Sequence, residues 1–178
     1  MAEPRPGRLV LVGFMGAGKS TVGPLVAERL GWDFLDMDEH LEERLGMSVA
    51  EYFRARGEEA FREEERQIAL ELLGRERLVV AAGGGAFARD DTRSLLKQNA
   101  VTVWLRCDMG AILRRVPADG RRPLAGNRDI MASRLAEREP SYREADVHVA
   151  TEDAEPGAVA DRVVSAVRGR LGFRETHR

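Results

Sequence analysis

Short apolar runs alternate with longer charged stretches along most of this chain. Five of the runs have the length of β-strands and cover residues 9–12, 32–36, 78–82, 101–105 and 147–150. The first run contains no polar position, which is typical of a strand that is buried on both faces of a sheet. Because stretches with helical spacing separate the runs, we expect a parallel sheet whose strands are connected by helices.

Several of these helical stretches carry start or stop signals. Lys19–Leu30 follows the first strand with helix-compatible spacing. Ser48 and Glu51 have the spacing of a capping box, which predicts a short helix that ends near Gly57, followed by a longer helix over residues 58–75. Pro156 begins a last helix, which we expect to stop at Gly172. The helix over residues 58–75 has a predicted apolar face of Phe61, Ile68, Ala69, Leu72 and Leu73. The helix that begins at Pro156 has one of Val159, Val163, Val164, Val167 and Leu171.

These elements predict a single α/β domain with three layers, in which helices cover both faces of a five-stranded parallel sheet. A chain of 178 residues suits one such domain. We expect the domain over residues 9–172, a loose N-terminal tail at residues 1–8 and a short tail at residues 173–178. Residues 117–128 are rich in Gly, Pro, Arg and Asp and interrupt the alternation, so they are predicted to form a lid.

Composition excludes several classes of partner. The chain has 28 basic and 30 acidic residues with both signs interspersed, which favours neither a nucleic-acid nor a membrane partner. No stretch resembles a signal peptide or a membrane span, so we expect a cytoplasmic protein, and the lack of a long exposed apolar stripe favours a monomer. Cys107 is the single cysteine, and the three histidines lack metal-ligand spacing, so we expect no disulfide and no structural metal.

Residues 13–20 read GFMGAGKS and match the phosphate-loop pattern G-x-x-x-x-G-K-[ST] between a predicted strand and a predicted helix. Glycines let the backbone bend around a phosphate, and the helix N-terminus favours its negative charge. Lys19 is expected to reach the β- and γ-phosphates, and Ser20 to bind Mg²⁺. An accidental glycine-rich turn is the alternative, but eight flanked positions in register argue against it. The predicted nucleotide-binding residues here are Gly16, Ala17, Gly18, Lys19, Ser20 and Thr21.

Two acids, Asp36 and Asp38, follow the second predicted strand with one residue between them. Side chains in this arrangement can address two different ligands across a strand end, such as a metal ion and an acceptor. A solvated turn is the alternative interpretation, and the phosphate loop upstream favours a site.

Together these motifs resemble the shikimate kinases, a family of P-loop kinases. The resemblance covers almost the whole chain from Leu9 to the last helix. It rests on GFMGAGKST, on FLDMD at residues 34–38, on residues 46–48 and 57–62 with Glu65, on the triplet Gly83-Gly84-Gly85, on Arg122-Pro123-Leu124, on Arg138 with Tyr142, and on Pro156.

The resemblance implies the P-loop NTPase fold and a kinase that uses ATP and Mg²⁺ to phosphorylate the 3-hydroxyl of shikimate. The products are ADP and shikimate 3-phosphate, on the route to chorismate and the aromatic amino acids. Asp36 and Ser20 are expected to hold Mg²⁺, and Asp38 to contact the acceptor hydroxyls and take the proton. The implied catalytic residues are Lys19, Asp38 and Arg122, and the implied substrate-binding residues are Asp38, Arg62, Gly83, Gly84, Gly85 and Arg138, with an acceptor-binding insert at about residues 37–65.

Guanidinium groups suit a carboxylate acceptor because two parallel N–H donors match its two oxygens. Arg62 and Arg138 are the candidates, although each lies among acidic residues with which it could form a surface ion pair. Arg134 and Arg143 are the alternatives to Arg138, but the register of the motif against Pro140 and Tyr142 selects Arg138.

The lid and the adenine site are assigned by the same resemblance. Arg122 is expected to stabilise the transferring phosphoryl group, and its neighbour Arg121 is the alternative. Adenine is expected between the loop at residues 151–156, with Pro156, and the helix that carries Arg114 and Arg115, of which register favours Arg115. Ala125 stands where the family often has a second leucine, which leaves the packing of the lid open.

Two other functions fit parts of the sequence. A gluconate or nucleoside monophosphate kinase would share the layout, but Arg62, the glycine triplet and Arg138 argue against both. A regulatory module that binds nucleotide without turnover would keep the phosphate loop alone, whereas this chain also keeps Asp36, Asp38 and Arg122.

Overall fold

The five apolar runs form one parallel sheet. The computed structural model describes residues 7–116 and 127–171. The strand order is β2-β3-β1-β4-β5, so β1 lies at the centre with a parallel neighbour on each side. The strands are β1 (Arg8–Val12), β2 (Asp33–Asp36), β3 (Leu78–Ala81), β4 (Val101–Arg106) and β5 (Val147–Ala150).

Helices connect the strands and complete the three-layer α/β/α fold that the sequence predicts. In the described part of the chain, α1 packs against α7, and α3 packs against both α2 and α4. A 3₁₀ turn at Ala86–Ala88 follows β3. The helices are α1 (Lys19–Leu30), α2 (Met37–Leu45), α3 (Val49–Leu72), α4 (Asp90–Asn99), α5 (Met109–Arg115), α6 (Arg128–Tyr142) and α7 (Pro156–Val167).

The core lies along the central strand. Residues 9–12 of β1 are at most 1% exposed, as expected for a strand covered on both faces. The α1 helix packs closely onto the sheet at Gly23, where a Cβ atom would clash with the ring of Phe34. This packing fixes the N-terminal end of α1 beside the carboxyl end of β1, where the phosphate loop lies.

The α3 segment agrees with the prediction of a capping box at Ser48 and a break near Gly57. The capping box is confirmed, because Ser48 N–H donates to Glu51 Oε2 over 2.9 Å and Glu51 N–H donates to Ser48 Oγ over 3.2 Å. The prediction of two helices is confirmed, because Val49–Leu72 consists of two helical stretches that meet at a kink at Gly57, whose φ of 83° and ψ of 175° are not helical. Glycine adopts this conformation readily, so the first helical stretch ends there and the chain changes direction before the second begins.

Three predicted boundaries shift in the structure. The last helix ends at Val167, and Leu171 lies beyond it after a turn that contains Gly169, so the predicted stop at Gly172 was wrong. Asp38 lies in the first turn of α2, and the interpretation of both acids as one strand end was therefore wrong for Asp38. The β1 strand begins at Arg8, inside the predicted tail.

Of the predicted lid, residues 117–126 lie outside the described residues, and α6 begins within its last two positions. Asn127 caps this helix by accepting hydrogen bonds from the N–H groups of Asp129 and Ile130, both over 3.1 Å. Among residues 7–116 and 127–171, no helix combines the length and the apolar character that crossing a membrane requires.

Candidate active site

The phosphate loop joins β1 to α1 through three glycines with positive φ. These angles are 146° at Gly13, 78° at Gly16 and 101° at Gly18. A Cβ atom at Gly13 would lie 2.8 Å from the carbonyl oxygen of Leu105, so a side chain there would collide with backbone. Lys19 Nζ donates to the carbonyl oxygens of Gly13 and Phe14 over 2.7 and 3.0 Å, which holds its ammonium group against the loop.

Ser20 and Asp36 connect the phosphate loop to the end of β2. The Ser20 hydroxyl donates to Asp36 Oδ2, while Asp36 Oδ1 accepts hydrogen bonds from the N–H groups of Asp38 and Glu39 over 2.9 and 3.4 Å. The same carboxylate therefore caps α2 and faces the phosphate loop. A carboxylate and a hydroxyl are ligands that suit Mg²⁺, which usually keeps several waters and binds phosphate oxygens as well.

The described residues contain no larger cluster of metal-binding side chains. Between Gly7 and Val116 and between Asn127 and Leu171, no three His, Cys, Asp or Glu side chains are grouped as a protein-only metal site would require. The Ser20–Asp36 pair thus fits an ion that arrives with its nucleotide rather than a fully caged one.

Arg62 and Glu65 form a shielded ion pair on α3. The Arg62 and Glu65 side chains are only 11% and 4% exposed, and Arg62 Nη1 lies 2.5 Å from Glu65 Oε2. Burial raises the pKa of Glu65, and the positive charge of Arg62 acts in the opposite direction. The guanidinium also lies 5.1 Å from the centre of the Phe61 ring. These contacts hold Arg62 in one orientation next to the glycine triplet.

The glycine triplet follows β3 and is surrounded by charged side chains. We call residues 83–88, the triplet and the 3₁₀ turn after it, the glycine loop. A Cβ atom at Gly83 would lie 2.7 Å from Glu65 Oε1 and 3.0 Å from Asp38 Oδ1. One at Gly85 would lie 2.5 Å from Arg62 Nη1. The missing side chains therefore let two carboxylates and a guanidinium approach the loop.

Arg138 reaches the same loop from α6. A Cβ atom at Gly84 would lie 3.6 Å from Arg138 Nη1 and 3.8 Å from the backbone nitrogen of Met15 in the phosphate loop. The guanidinium of Arg138 lies 5.7 Å from the centre of the Phe14 ring. Two guanidinium groups and two carboxylates thus surround the glycine triplet, whose middle residue lies beside Met15 of the phosphate loop. This set can bind a small acceptor that carries both a carboxylate and hydroxyl groups.

Tyr142 fastens α6 to the glycine loop. Its buried hydroxyl donates to the carbonyl oxygen of Gly84, and burial raises its pKa to about 12. The phenol therefore stays protonated at neutral pH and keeps its hydrogen bond. Because Arg138 lies one turn earlier on α6, this bond also sets where its guanidinium sits.

A cavity of about 630 Å³ lies on the other side of the phosphate loop. It contacts α1, α5, the loop after β5 and the start of α7. Arg115 closes one wall: its Nη2 donates to the Thr151 carbonyl over 2.8 Å, and its Nη1 lies 3.2 Å from Thr151 Oγ1 and 3.4 Å from the Gly16 carbonyl oxygen. The lining residues include Ala17, Gly18, Thr21, Arg114, Arg115, Thr151 and Pro156.

Comparison with known proteins agrees with this geometry. The family model described as shikimate kinase matches residues 15–168. The chain belongs to the shikimate kinase family. It is 42% identical to the shikimate kinase of Moorella thermoacetica, over 93% of this chain and 97% of that protein. The corresponding enzyme of Rhodopseudomonas palustris is also 42% identical, over 92% of this chain and 82% of its own length.

A solved relative extends the comparison to structure. The shikimate kinase of Acinetobacter baumannii, determined in complex with shikimate, superposes with a TM-score of 0.86 at 36% identity. The match covers 92% of this chain and 93% of the relative. The P-loop kinase fold predicted from the sequence is therefore confirmed, and the chain is an enzyme of this family.

The fold brings most of the predicted site residues of the kinase into two groups. The acceptor group contains Asp38, Arg62, Arg138 and the glycine triplet, and the nucleotide group contains the phosphate loop, Arg115 and Pro156. Ser20 and Asp36 lie next to the phosphate loop. Arg122 lies outside the described residues. The roles of these residues remain predictions.

Two contributors to the acceptor group were not among the predicted site residues. Glu65 is the buried partner of Arg62, and Tyr142 holds the Gly84 carbonyl. Glu65 follows Arg62 at the i,i+3 spacing of a helical ion pair, which is a signal that the sequence contains. Nothing in the sequence predicts which carbonyl Tyr142 contacts, since the two residues are 58 positions apart.

Proposed function

We propose that this kinase transfers the γ-phosphoryl group of ATP to the 3-hydroxyl of shikimate and releases ADP and shikimate 3-phosphate. The observation that carries the proposal is the convergence of Arg62 and Arg138 on the glycine loop beside the phosphate loop. A relative with 36% identity has been solved with shikimate, which supports shikimate as the acceptor.

The acceptor is held by complementary charge in this proposal. Arg62 and Arg138 bind its carboxylate, since guanidinium donors match the two oxygens. Glu65 offsets part of the charge of Arg62 and fixes its rotamer, so the side chain is already oriented before the acceptor arrives. The glycine triplet lets the acceptor ring approach the backbone.

Asp38 orients the reacting hydroxyl. Its Oδ1 lies near Gly83, on the side of the glycine loop that also faces Glu65. The hydroxyl oxygen attacks the γ-phosphorus, the bond from that phosphorus to the bridging oxygen of ADP breaks, and the hydroxyl proton passes to the Asp38 carboxylate. Little covalent work falls to the protein, so positioning and charge stabilisation supply most of the rate.

Lys19 and the phosphate loop bind the nucleotide. The Lys19 ammonium neutralises the β- and γ-phosphates, while Arg115 shapes the cavity for adenine. Ser20 and Asp36 would hold Mg²⁺, Asp36 through a bound water, and the ion would supply positive charge at the phosphates when bound. Arg122, outside the described residues, is proposed to complete this positive environment.

The test is coupled ADP release by the purified protein with Mg-ATP and one acceptor at a time. Shikimate should give turnover far above quinate, gluconate, nucleoside monophosphates or no acceptor. Turnover with another acceptor alone would contradict shikimate but keep the kinase activity. If ATP binds and no acceptor is phosphorylated, the proposal fails and the chain acts as a binding module.

The finer expectations from the sequence belong to the same proposal. We propose that the enzyme is a cytoplasmic monomer that serves the biosynthesis of aromatic amino acids. Light scattering coupled to size-exclusion chromatography measures the oligomeric state, and complementation of a strain that lacks shikimate kinase tests the pathway.

A further inference from the structure

Arg93 belongs to neither the acceptor group nor the nucleotide group. Its side chain connects three segments of the fold. It lies on α4, and its side chain is only 13% exposed. Nη1 donates to the carbonyl oxygens of Phe87 and Ala88, both over 3.2 Å, and to the hydroxyl of Ser141 over 3.1 Å. One side chain thus joins α4, the end of the glycine loop and the last turn of α6.

The remaining contacts of Arg93 are ion pairs at the surface. Nη2 lies 2.5 Å from Asp90 Oδ1, and Nε lies 3.2 Å from Glu144 Oε1. The side chains of Asp90 and Glu144 are 92% and 47% exposed, and pairs of this kind contribute little to stability in water. The contribution of Arg93 to the structure therefore comes mainly from its shielded hydrogen bonds to the glycine loop and to Ser141, which require a guanidinium group.

The glycine loop and α6 are consequently joined twice. Tyr142 bonds to the Gly84 carbonyl on the inner side, and Arg93 bridges the loop to the adjacent Ser141 on the outer side. The guanidinium of Arg62 lies against Gly85. Arg138 lies on α6 one turn before Ser141 and Tyr142, the two residues that bond to the loop and to Arg93. The distance between the two guanidinium groups then depends on how α6 is held against the loop.

We propose that Arg93 is a positioning residue for the acceptor, which sets the separation of Arg62 and Arg138 without touching the substrate. This inference rests on the proposed function, because it assigns these two arginines to one acceptor carboxylate. Its specific consequence is selectivity. A change at Arg93 alters acceptor binding, while the phosphate loop and the adenine cavity, which it does not contact, keep their affinity for ATP.

The experiment compares Arg93→Ala with Lys97→Ala by steady-state kinetics with shikimate and with ATP. Lys97 is the matched control because it lies on the same helix and also pairs with Glu144, over 3.1 Å, but has no bond to the glycine loop. Arg93→Ala should raise the KM for shikimate about tenfold, since small misplacements of binding groups are costly, and leave the KM for ATP within about twofold. Lys97→Ala should leave both constants unchanged.

Two further measurements separate positioning from general stabilisation. Millimolar guanidinium should lower the shikimate KM of Arg93→Ala towards the wild-type value and leave Lys97→Ala unaffected. Combining Arg93→Ala with Arg138→Lys should raise this KM by less than the product of the single effects, because both changes disturb the same contact. Ser141→Ala, which removes one acceptor of Arg93, should give a smaller shift and replaces Arg93→Ala if that variant does not fold.

Clear outcomes would overturn the inference. An unchanged shikimate KM in Arg93→Ala, or equal increases for shikimate and ATP, would reduce Arg93 to a structural role. A multiplicative effect with Arg138→Lys would show that it does not act through Arg138. The wild-type protein in the same assay keeps the proposals apart, because absence of shikimate turnover there contradicts the proposed function itself.

Discussion

Gly85 provides the space that the guanidinium of Arg62 occupies. A Cβ atom at residue 85 would lie 2.5 Å from Nη1 and 2.6 Å from Nη2 of Arg62. The backbone of Gly85, with φ of −101° and ψ of −9°, is open to any residue, so the constraint is steric rather than conformational. We expect Gly85→Ala to displace Arg62 and to raise the KM for shikimate about tenfold at a nearly unchanged KM for ATP.

Gly157→Ala is the control for this substitution. Residue 157 lies near the start of α7, and a Cβ atom there would meet Arg29 at an ordinary contact distance of 3.5 Å. Steady-state kinetics should place it at wild-type values for both substrates. If Gly85→Ala also gives wild-type values, the position of the Arg62 guanidinium beside residue 85 does not affect acceptor binding.

Asp36 serves both as a helix cap and as a proposed metal residue, and Asp36→Asn separates the two roles. Asparagine caps a helix as well as aspartate does, so α2 should keep its N-terminus while the negative charge is lost. The Mg²⁺ concentration for half-maximal activity should rise by about tenfold or more, as for other changes to groups that orient a bound metal. A magnesium titration of activity measures this shift. An unchanged titration curve, with circular dichroism showing intact helices, would remove Asp36 from the metal site.

Arg115 and Arg114 both line the nucleotide cavity, but only one of them has a described bond to the loop after β5. Arg115 bonds to Thr151 and to the Gly16 carbonyl. Arg115→Ala should therefore raise the KM for ATP by about tenfold and leave the KM for shikimate unchanged, since a hydrogen bond to a charged group contributes about 1.5–3 kcal/mol. Arg114→Ala should have the smaller effect. The reverse order in the same kinetic assay would reassign the adenine wall to Arg114.

Glu65 makes stability depend on pH in a defined direction. Burial raises its pKa above the ordinary value of 4.5, so the folded protein binds this proton more tightly than the unfolded chain. The resulting stabilisation is fully present below pH 4.5 and is lost as the pH rises through the folded pKa, by at most about 1.4 kcal/mol per pH unit. Glu65→Gln cannot titrate there and should gain stability relative to wild type as the pH rises.

Urea unfolding of both proteins across this pH range measures the difference in the free energy of unfolding. Glu63→Gln removes one negative charge from the exposed face of the same helix and is the control for net charge. A difference between wild type and Glu65→Gln that stays constant with pH would mean that Glu65 titrates alike in the folded and unfolded states.

The sheet was predictable because an apolar run of strand length marks each of its five strands. Each predicted run overlaps one strand, and the ends of run and strand differ by at most one residue, while α1 has the predicted bounds. The errors arise where local signals compete. Asp36 is both the last strand residue and an N-cap, so a helix begins at Met37, where the pattern predicted that the strand end continues to Asp38.

The candidate site was predictable where one contiguous motif contains the chemistry, as in the phosphate loop. It was less predictable where the partners come from distant segments. The glycine triplet, Arg62 and Arg138 were found through family resemblance, whereas the bond from Tyr142 to Gly84 and the contacts of Arg93 depend on how α6 packs. Such contacts cannot be inferred from spacing, because no period connects residues on separate elements.

The break in α3 has a consequence for how freely this chain can vary. Nothing lies within 4 Å of a Cβ atom built on Gly57, so a rule based on crowding would rank residue 57 among the most tolerant positions. Its φ of 83° and ψ of 175° belong to a region that is essentially restricted to glycine. Mutational tolerance at this position is therefore decided by the main chain alone, and an exposed, uncrowded residue can be as restricted as one in the core.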